Sequence, residues 1–483
     1  MKLSEIVRNI NATLLLGRGA SADMEILSVC VDSRLVSPES IFAPILGYKK
    51  NGADYVNEAY IRGCRVYLSE TNAEPKDDCA IIKVKNLRKS VAELSNLLVD
   101  FKNKKLNVIG ITGTKGKTGV AVILSGLLSS AGVPTYSVGT LGVLDKDSNL
   151  IRTTMNTTPE PTELFSILSE CKDSGAEAVA LEVSSQAIKD FRIWGIDFHS
   201  VIFTSLGIDH IGSSEHESFT EYIRAKRSLF TDYKHKLAFF NADDFYTPFM
   251  SFGTEKCIKC GFSKTADFKI TDYLITEKGS EFKINGVSFS SKMHAKYDAV
   301  NSCLAIAAAS LYTEKPLSYF KESFSQVTIP GRYEKYYICD RCFIIDYAHN
   351  ALSFSSVFGL TRKLFSGKII AVFGSVGERS KNRRRELAEI AEKFADYSII
   401  TLDNPGFESP EKICAEIFSF YKTDNAEVVL DRKKAILRAY ERSSPNDAIL
   451  ILGRGNEAFM DIMGRKIPFS DRDIIMNIKA GIY

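Results

Sequence analysis

The chain has 483 residues, enough for about three domains of ordinary size that each bury a core. Apolar residues make up 45% and charged residues 25%, the mix of a soluble globular protein rather than a disordered or fibrous one. A net charge of +3 over this length lacks the basic footprint of a nucleic-acid or membrane-surface binder.

The N-terminus, MKLSEIVRNINATLLLGRG, has too short an apolar run and too early an acid, Glu5, for a secretory signal. No stretch approaches the ~20 apolar residues of a membrane span, so a cytoplasmic protein without membrane insertion is expected. Residues 1–104 mix short strands, at 41–46 and 65–68, with the helical spacing SVAELSNLLVDF. The charged run Lys102-Asn103-Lys104-Lys105 reads as a linker. A second block, 105–329, opens with an apolar strand at 106–111, a Gly/Lys/Thr loop and the helix pattern VAVILSGLLSSAG. Strand patterns follow at 176–183 and 200–206, and an apolar helix at 300–311. The third block, 330–483, begins at Pro330-Gly331-Arg332 and carries strand runs at 342–348, 368–375, 397–403 and 447–453, with helical patterns between them. Strands alternating with helices predict parallel sheets covered on both faces. The expected fold is α/β in three domains: an N-terminal α/β domain, a central P-loop ATPase-like domain and a Rossmann-like C-terminal domain.

Of ten cysteines, four form C-x-x-C pairs, Cys257/Cys260 and Cys339/Cys342. Each pair lies in a strand-like stretch, where residues i and i+3 point to opposite faces, so free thiols are expected rather than a zinc site.

Four segments carry chemistry. Gly110-Ile111-Thr112-Gly113-Thr114-Lys115-Gly116-Lys117-Thr118 stands between a buried strand and a helix, the context of a phosphate loop. Its backbone N–H groups would converge on phosphate oxygens, Lys117 would neutralise the β/γ-phosphates, and the Thr118 hydroxyl would ligate Mg2+. Such a loop implies an ATP or GTP user and no particular reaction. Glu182, in Leu181-Glu182-Val183-Ser184-Ser185-Gln186, ends a strand at the ligand-binding edge of a parallel sheet and offers the hard oxygen that Mg2+ prefers. His210, in Ser205-Leu206-Gly207-Ile208-Asp209-His210, follows another strand, and Lys226 sits on a helical pattern. Singly, each of the last three reads as a cap, a packed histidine or a solvated lysine.

Together the four segments resemble the Mur ligase family, ATP-dependent amide ligases of peptidoglycan synthesis, and the likeness runs over essentially the whole chain. The resemblance implies ATP held by Gly113, Thr114, Lys115, Gly116, Lys117 and Thr118. It implies Mg2+ on Thr118, Glu182 and His210, and a carbamate on Lys226 as a further ligand. Val31-Asp32-Ser33-Arg34 and Gly52-Ala53-Asp54-Tyr55 look like uridine-diphosphate segments of the MurE branch, with Ser33 a contact. Asn156, Thr157 and Thr158, with Ser184 and Arg192, look like its muramoyl-dipeptide contacts. Asn241-Ala242-Asp243-Asp244 also has the family's form, and Asn301 matches a residue near the adenine. Arg332, in Gly331-Arg332-Tyr333-Glu334, and Asp346 and His349 would meet the nucleotide from the third domain.

The third domain selects the amino acid in this branch. Here Gly374 to Arg379, Asp403-Asn404-Pro405-Gly406 and Gly453-Arg454-Gly455-Asn456-Glu457 resemble its selecting motifs. Arg379, Arg383, Asp403, Asn404, Gly453 and Glu457 are the expected contacts. Lys381-Asn382-Arg383-Arg384-Arg385 is read equally as a carboxylate site, Arg384 included, and as a solvated helix start. Diaminopimelate-adding members carry arginine where Gly406 stands, a bidentate partner for the distal carboxylate. Lys115, Gln186 and Glu215-His216 resemble lysine-adding members, although Asn404, Ser205 and Asp298 depart from the usual residues. The reading is an ATP-dependent ligase that adds L-lysine to UDP-N-acetylmuramoyl-L-Ala-D-Glu through an acyl phosphate, as a monomer. The alternative is a meso-diaminopimelate-adding or other amino-acid-adding ligase. A folylpolyglutamate-synthase-like ligase lacks the uridine segments, a cyanophycin-synthetase-like one needs a further ATP-binding half, and an inactive nucleotide-binding paralogue need not retain Lys117, Glu182, His210 and Lys226.

Overall fold

The computed structural model describes residues 1–47, 51–207, 216–276, 278–377 and 381–482. Two compact units divide the chain: 1–273 with 282–290 and 297–325, and 326–483 with 274–281 and 291–296. No helix among the described residues is long and apolar enough to cross a membrane.

The first unit holds two sheets. In the N-terminal one the strand order is Thr13–Leu16, Ala80–Lys83, Val66–Ser69, Ser40–Phe42, Ser28–Cys30, with only the first pair antiparallel. Its core, Leu3, Ile6, Ile41, Val66, Leu68 and Ile82, is closed by Val91 and Leu94 of the helix Leu87–Leu98. Asn86 starts that helix by accepting from the Lys89 N–H, an ordinary N-cap. Its other side is pinned to the central sheet's layer. The Trp194 indole donates to Glu93 at 3.1 Å, Asn96 donates to the Gly195 carbonyl at 3.1 Å, and the Lys89 ammonium lies 4.0 Å from the Trp194 ring centre. The run at 102–105 is correspondingly no free linker. Phe101 is buried in the central core, edge-on to Phe165, and Lys104 pairs with Asp173 at 2.6 Å.

The central sheet has eleven strands in the order Val287–Ser291, Gly279–Ile284, Phe268–Thr276, Cys257–Gly261, Leu237–Asn241, Phe198–Phe203, Asn107–Thr112, Ala178–Glu182, Thr135–Gly139, Gly142–Leu144, Leu150–Arg152. The six strands from Cys257–Gly261 to Thr135–Gly139 are parallel and largely apolar, as a sheet covered on both faces requires. Register sets the site: Glu182 pairs with Ile111 and Phe203 with Thr112, so the ends of three strands bring Thr112, Glu182 and Thr204 to one edge.

In the second unit the order is Glu334–Ile338, Arg341–Asp346, Ala448–Leu452, Ile369–Phe373, Tyr397–Ile400, Ala426–Val428, parallel after the first pair. Apolar layers cover both faces, Phe354, Phe358, Leu387 and Ile417 on one, Ile436, Ile474, Ile475 and Ile478 on the other. Strands that are distant in sequence lie side by side, leaving Asp346, Gly453 and Asp403 at or just beyond the C-terminal ends of three strands, the usual ligand edge of such sheets.

Cys257 and Cys260 do share a strand, but Cys339 does not. It sits with Asp340 in the turn between two strands, both at positive φ (45° and 59°), so the alternation argument fails for that pair.

Candidate functional site

The nucleotide loop is shaped by two glycines. Gly113 has φ 152° and Gly116 φ 91°, and a β-carbon would stand 2.0 Å from the Thr204 hydroxyl at the first and 2.6 Å from the Asn301 amide oxygen at the second. Only glycine avoids both the strain and the collision. The helix Lys117–Ser130 starts at Gly116 without a side-chain cap, which leaves its first turn suited to anionic oxygens. The helix thus begins three residues before the apolar pattern that opens at Val120, with Lys117 as its first residue. Lys117 folds back onto the loop, its ammonium donating to the Gly113 carbonyl at 2.9 Å and the Thr114 carbonyl at 3.3 Å.

Lys226 reaches the same Gly113 carbonyl, at 3.0 Å, from the helix Phe219–Thr231. It is 2% exposed and its ammonium lies 4.6 Å from the Tyr222 ring centre, so the solvated-lysine reading is excluded. Tyr222, four residues earlier on the same face, shares a 2.9 Å hydrogen bond with Thr114. That spacing was the available signal for a residue the motifs did not name.

Glu182 is buried at the strand end. Its oxygens accept from the Thr118 hydroxyl at 3.0 Å and from the Thr140 N–H at 3.0 Å and hydroxyl at 3.2 Å. Burial pushes its carboxyl above the ordinary range, and the Lys117 charge and the Thr140 N–H pull it back. No cation pairs with it within 4 Å among the described residues. Two hard oxygen donors, Thr118 and Glu182, are thus adjacent at a parallel-sheet edge, the donor chemistry of an Mg2+ site. His210 lies outside the described residues.

The expected peptide-binding residues converge on the same edge. The Thr158 hydroxyl donates to the Glu182 carbonyl at 2.9 Å and accepts from the Ser184 N–H at 3.0 Å. Ser184 caps the helix Ser185–Lys189, accepting from the Ala187 N–H. Arg192, 8% exposed, donates to the Thr158 carbonyl at 3.0 Å and pairs with Glu160 at 2.9 Å. The hydroxyls of Thr157 and Thr140 are 3.1 Å apart, and Asn156 is exposed. In the N-terminal sheet Ser33 is buried and donates to Glu58 at 2.8 Å. Beside it Asp32, chelated by the Arg34 guanidinium, falls to about 2.

In the second unit, Asp346 accepts from the Tyr333 N–H at 2.8 Å and the Ala348 N–H at 2.7 Å, which fixes the turn after its strand. The Arg332 guanidinium lies 4.8 Å from the Tyr347 ring centre, and His349 hydrogen-bonds the Tyr347 carbonyl through Nδ1 at 2.8 Å. Asp403, Asn404, Gly453 and Glu457, expected to contact the amino acid, lie in a largely buried charge cluster. Asp403 is 3% exposed, and the positive φ of Gly453 (108°) makes room for its carboxylate, which a β-carbon there would meet at 2.4 Å. Asn404 donates to Glu457 at 2.8 Å and accepts from Arg454 at 3.0 Å and the Asp461 N–H at 2.9 Å. Burial raises both acids. The Arg432 and Arg454 charges pull Asp403 back, whereas Asp403 pushes Glu457 higher. Arg432 and Asp471, both buried, close a double ion pair at 2.8 Å beneath them.

In the basic run Arg384 fits neither expected reading, whereas Arg385 is exposed as at a solvated helix start. The helix Lys381–Phe394 does start there, but Arg384 is 1% exposed and committed to Glu408 and Glu416, at 2.6 Å to each. Arg385 alone of that pair is a surface residue, linked to Glu389. Arg379 lies outside the described residues. The ion pairs of Arg384 and of Arg432 with Asp471 escaped sequence reasoning because the partners lie 24 to 39 residues away, and spacing does not report a tertiary ion pair.

Comparison with known proteins agrees with this geometry. Residues 111–309 match the family described as "Mur ligase middle domain" and 331–455 the one described as "Mur ligase, glutamate ligase domain". A UDP-N-acetylmuramoyl-L-alanyl-D-glutamate–2,6-diaminopimelate ligase of Aquifex aeolicus is 32% identical over 458 residues, 94% of this chain and 93% of its own. The enzyme of the same name from Alkaliphilus oremlandii is 33% identical over 495 residues, 99% of each. A solved structure of a ligase of that name superimposes with TM-score 0.69 at 24% identity, covering 100% of this chain and 99% of the other. These relatives are named for diaminopimelate, and the expectation of lysine finds no support among them. With that identity over nearly its full length, the chain belongs to the Mur ligase family, and it is an ATP-dependent ligase of the MurE type.

Proposed function

We propose that this enzyme joins 2,6-diaminopimelate to the D-Glu γ-carboxylate of UDP-N-acetylmuramoyl-L-Ala-D-Glu in peptidoglycan precursor synthesis, with domains at 1–104, 105–329 and 330–483. The supporting observation is one sheet edge that carries the nucleotide loop, the Thr118–Glu182 oxygen pair and the Thr158, Ser184 and Arg192 cluster. The reading follows the names of the relatives for the amino acid added.

The γ-carboxylate attacks the γ-phosphate of ATP, ADP leaves, and the amine displaces phosphate from the acyl phosphate. Two anions must meet in the first step, so cations decide its rate. Lys117 moves from the loop carbonyls to the phosphates, and Arg332 is a further cation for the nucleotide. Thr118 and Glu182 would hold Mg2+, with His210 and a carbamate on Lys226 as the further ligands the family resemblance implies. Bound there, the metal supplies charge neutralisation between triphosphate and carboxylate. Arg192 orients the acid, Glu457 and Asp403 receive the incoming amine, and Arg379 and Arg383 take a carboxylate, Arg384 being committed elsewhere.

Lysine is the second reading, and Gly406 favours it. Its φ is 59° and it offers no side chain to a distal carboxylate. An ADP-release assay with the UDP-linked dipeptide, ATP and each amino acid separates the two. We expect diaminopimelate to be the better acceptor. Turnover with lysine alone would reverse the choice, and no ADP release with any acceptor would sink the substrate assignment.

A further inference from the structure

The motif Asn241-Ala242-Asp243-Asp244 has no part in the chemistry above, yet its side chains reach toward the nucleotide loop. Asp244 divides its two carboxylate oxygens between two amides: one accepts from the Leu206 N–H at 2.8 Å, the other from the Tyr246 N–H at 2.9 Å. Asn241 donates to the Thr204 carbonyl at 2.7 Å and accepts from the Asp243 N–H at 2.9 Å. The motif therefore grips the segment 204–207 at two successive points.

That segment in turn grips the loop. The Thr204 hydroxyl donates to the Lys115 carbonyl at 2.5 Å, and the Ser205 hydroxyl donates to it at 3.0 Å and accepts from the Lys115 N–H at 3.1 Å. The Thr114 N–H donates to the Ser205 carbonyl at 2.7 Å, and the Gly207 N–H to the Thr114 hydroxyl at 2.9 Å. Thr204 also stands where a β-carbon on Gly113 would be, so displacing it displaces the loop. A glycine-rich loop has many conformations to lose on binding a nucleotide, and this second layer removes them beforehand. Burial raises the Asp244 carboxyl, with the two N–H bonds opposing, as for a group held inside the fold.

We propose that Asn241 and Asp244 are positioning residues of the nucleotide site, acting through Thr204, Ser205 and Leu206 to hold the loop at 113–116 in its binding shape. The proposal rests on reading 113–118 as the ATP loop. The test is calorimetric titration of the full-length protein with ADP and magnesium. Asparagine at 244 has one oxygen for two amides, so Asp244→Asn should raise Kd about tenfold, and Ser205→Ala about threefold, each below its own melting temperature. Ser205→Thr, which keeps the hydroxyl, should bind as the wild type does. In turnover the KM for ATP should rise while that for the UDP-linked acid stays within twofold. ADP affinity unchanged in both Asp244→Asn and Ser205→Ala would overturn the proposal, as would both KM values rising together. Failure of the wild type to bind ADP would overturn the ATP-loop reading itself, and this proposal with it.

Discussion

The nucleotide loop and the charge cluster of the C-terminal sheet are both built at the ends of parallel strands, but from different material. The loop is backbone, glycine and small hydroxyls, with Lys117 and Lys226 laid on one carbonyl. The cluster is side chains: Asp403, Arg432, Arg454 and Asp471, all buried, with half-buried Asn404 and Glu457, their positions set by one another. A site made of main chain binds what every nucleotide shares. A site made of buried charges binds one arrangement of ammonium and carboxylate, and a single substitution can change which.

The contrast can be broken first at Lys117. Its side chain is the principal cation the loop itself directs at phosphate, so Lys117→Ala should abolish ligation, a loss of more than about a thousandfold, with the melting temperature little changed. Near-normal turnover would show that the loop is not the nucleotide site. Next, Arg432→Met should strand Asp471 without a partner and cost about 3–5 kcal/mol in urea unfolding of the second unit. A cost below about 1 kcal/mol would mean that the cluster is not mutually supporting.

Glu457 sharpens the comparison through pH. Its folded-state carboxyl lies above its unfolded value because of burial and the Asp403 charge. Such a group's contribution is fully present below the unfolded value and is lost as pH rises through the folded one. Glu457→Gln should therefore melt higher than the wild type above neutral pH, with the gap closing in acid, while its amino-acid KM rises at least tenfold. A gap that widened in acid would contradict the assignment. The smallest effect belongs to the N-terminal unit's exposed pair. Asp32 falls to about 2 beside Arg34, so its contribution is present above pH 3.8 and lost as pH falls toward 2. Arg34→Gln should leave the chemical-denaturation midpoint at pH 7 almost unchanged.

Position 406 and the relatives point to different amino acids. The missing arginine argued against diaminopimelate, yet relatives named for diaminopimelate match almost the whole chain. A carboxylate can be met by any cation the fold brings near, and the fold had already removed Arg384 from the candidates by pairing it with Glu408 and Glu416.

By itself the sequence determined the α/β class, the nucleotide loop with Gly113, Gly116, Lys117 and Thr118, the strand-end Glu182 and the MurE-type likeness. These signals are local: apolar runs set strands, and glycines at fixed offsets set a loop between a strand and a helix. The tertiary structure alone decided that Lys226 is buried on the loop's own carbonyl, that the Asn241–Asp244 turn reaches the loop through 204–207, and that Arg384, Arg432 and Arg454 are buried ion-pairing groups rather than solvated ones. Those facts depend on which strand ends lie side by side and which charges are desolvated together, and the spacing of residues along a chain records neither.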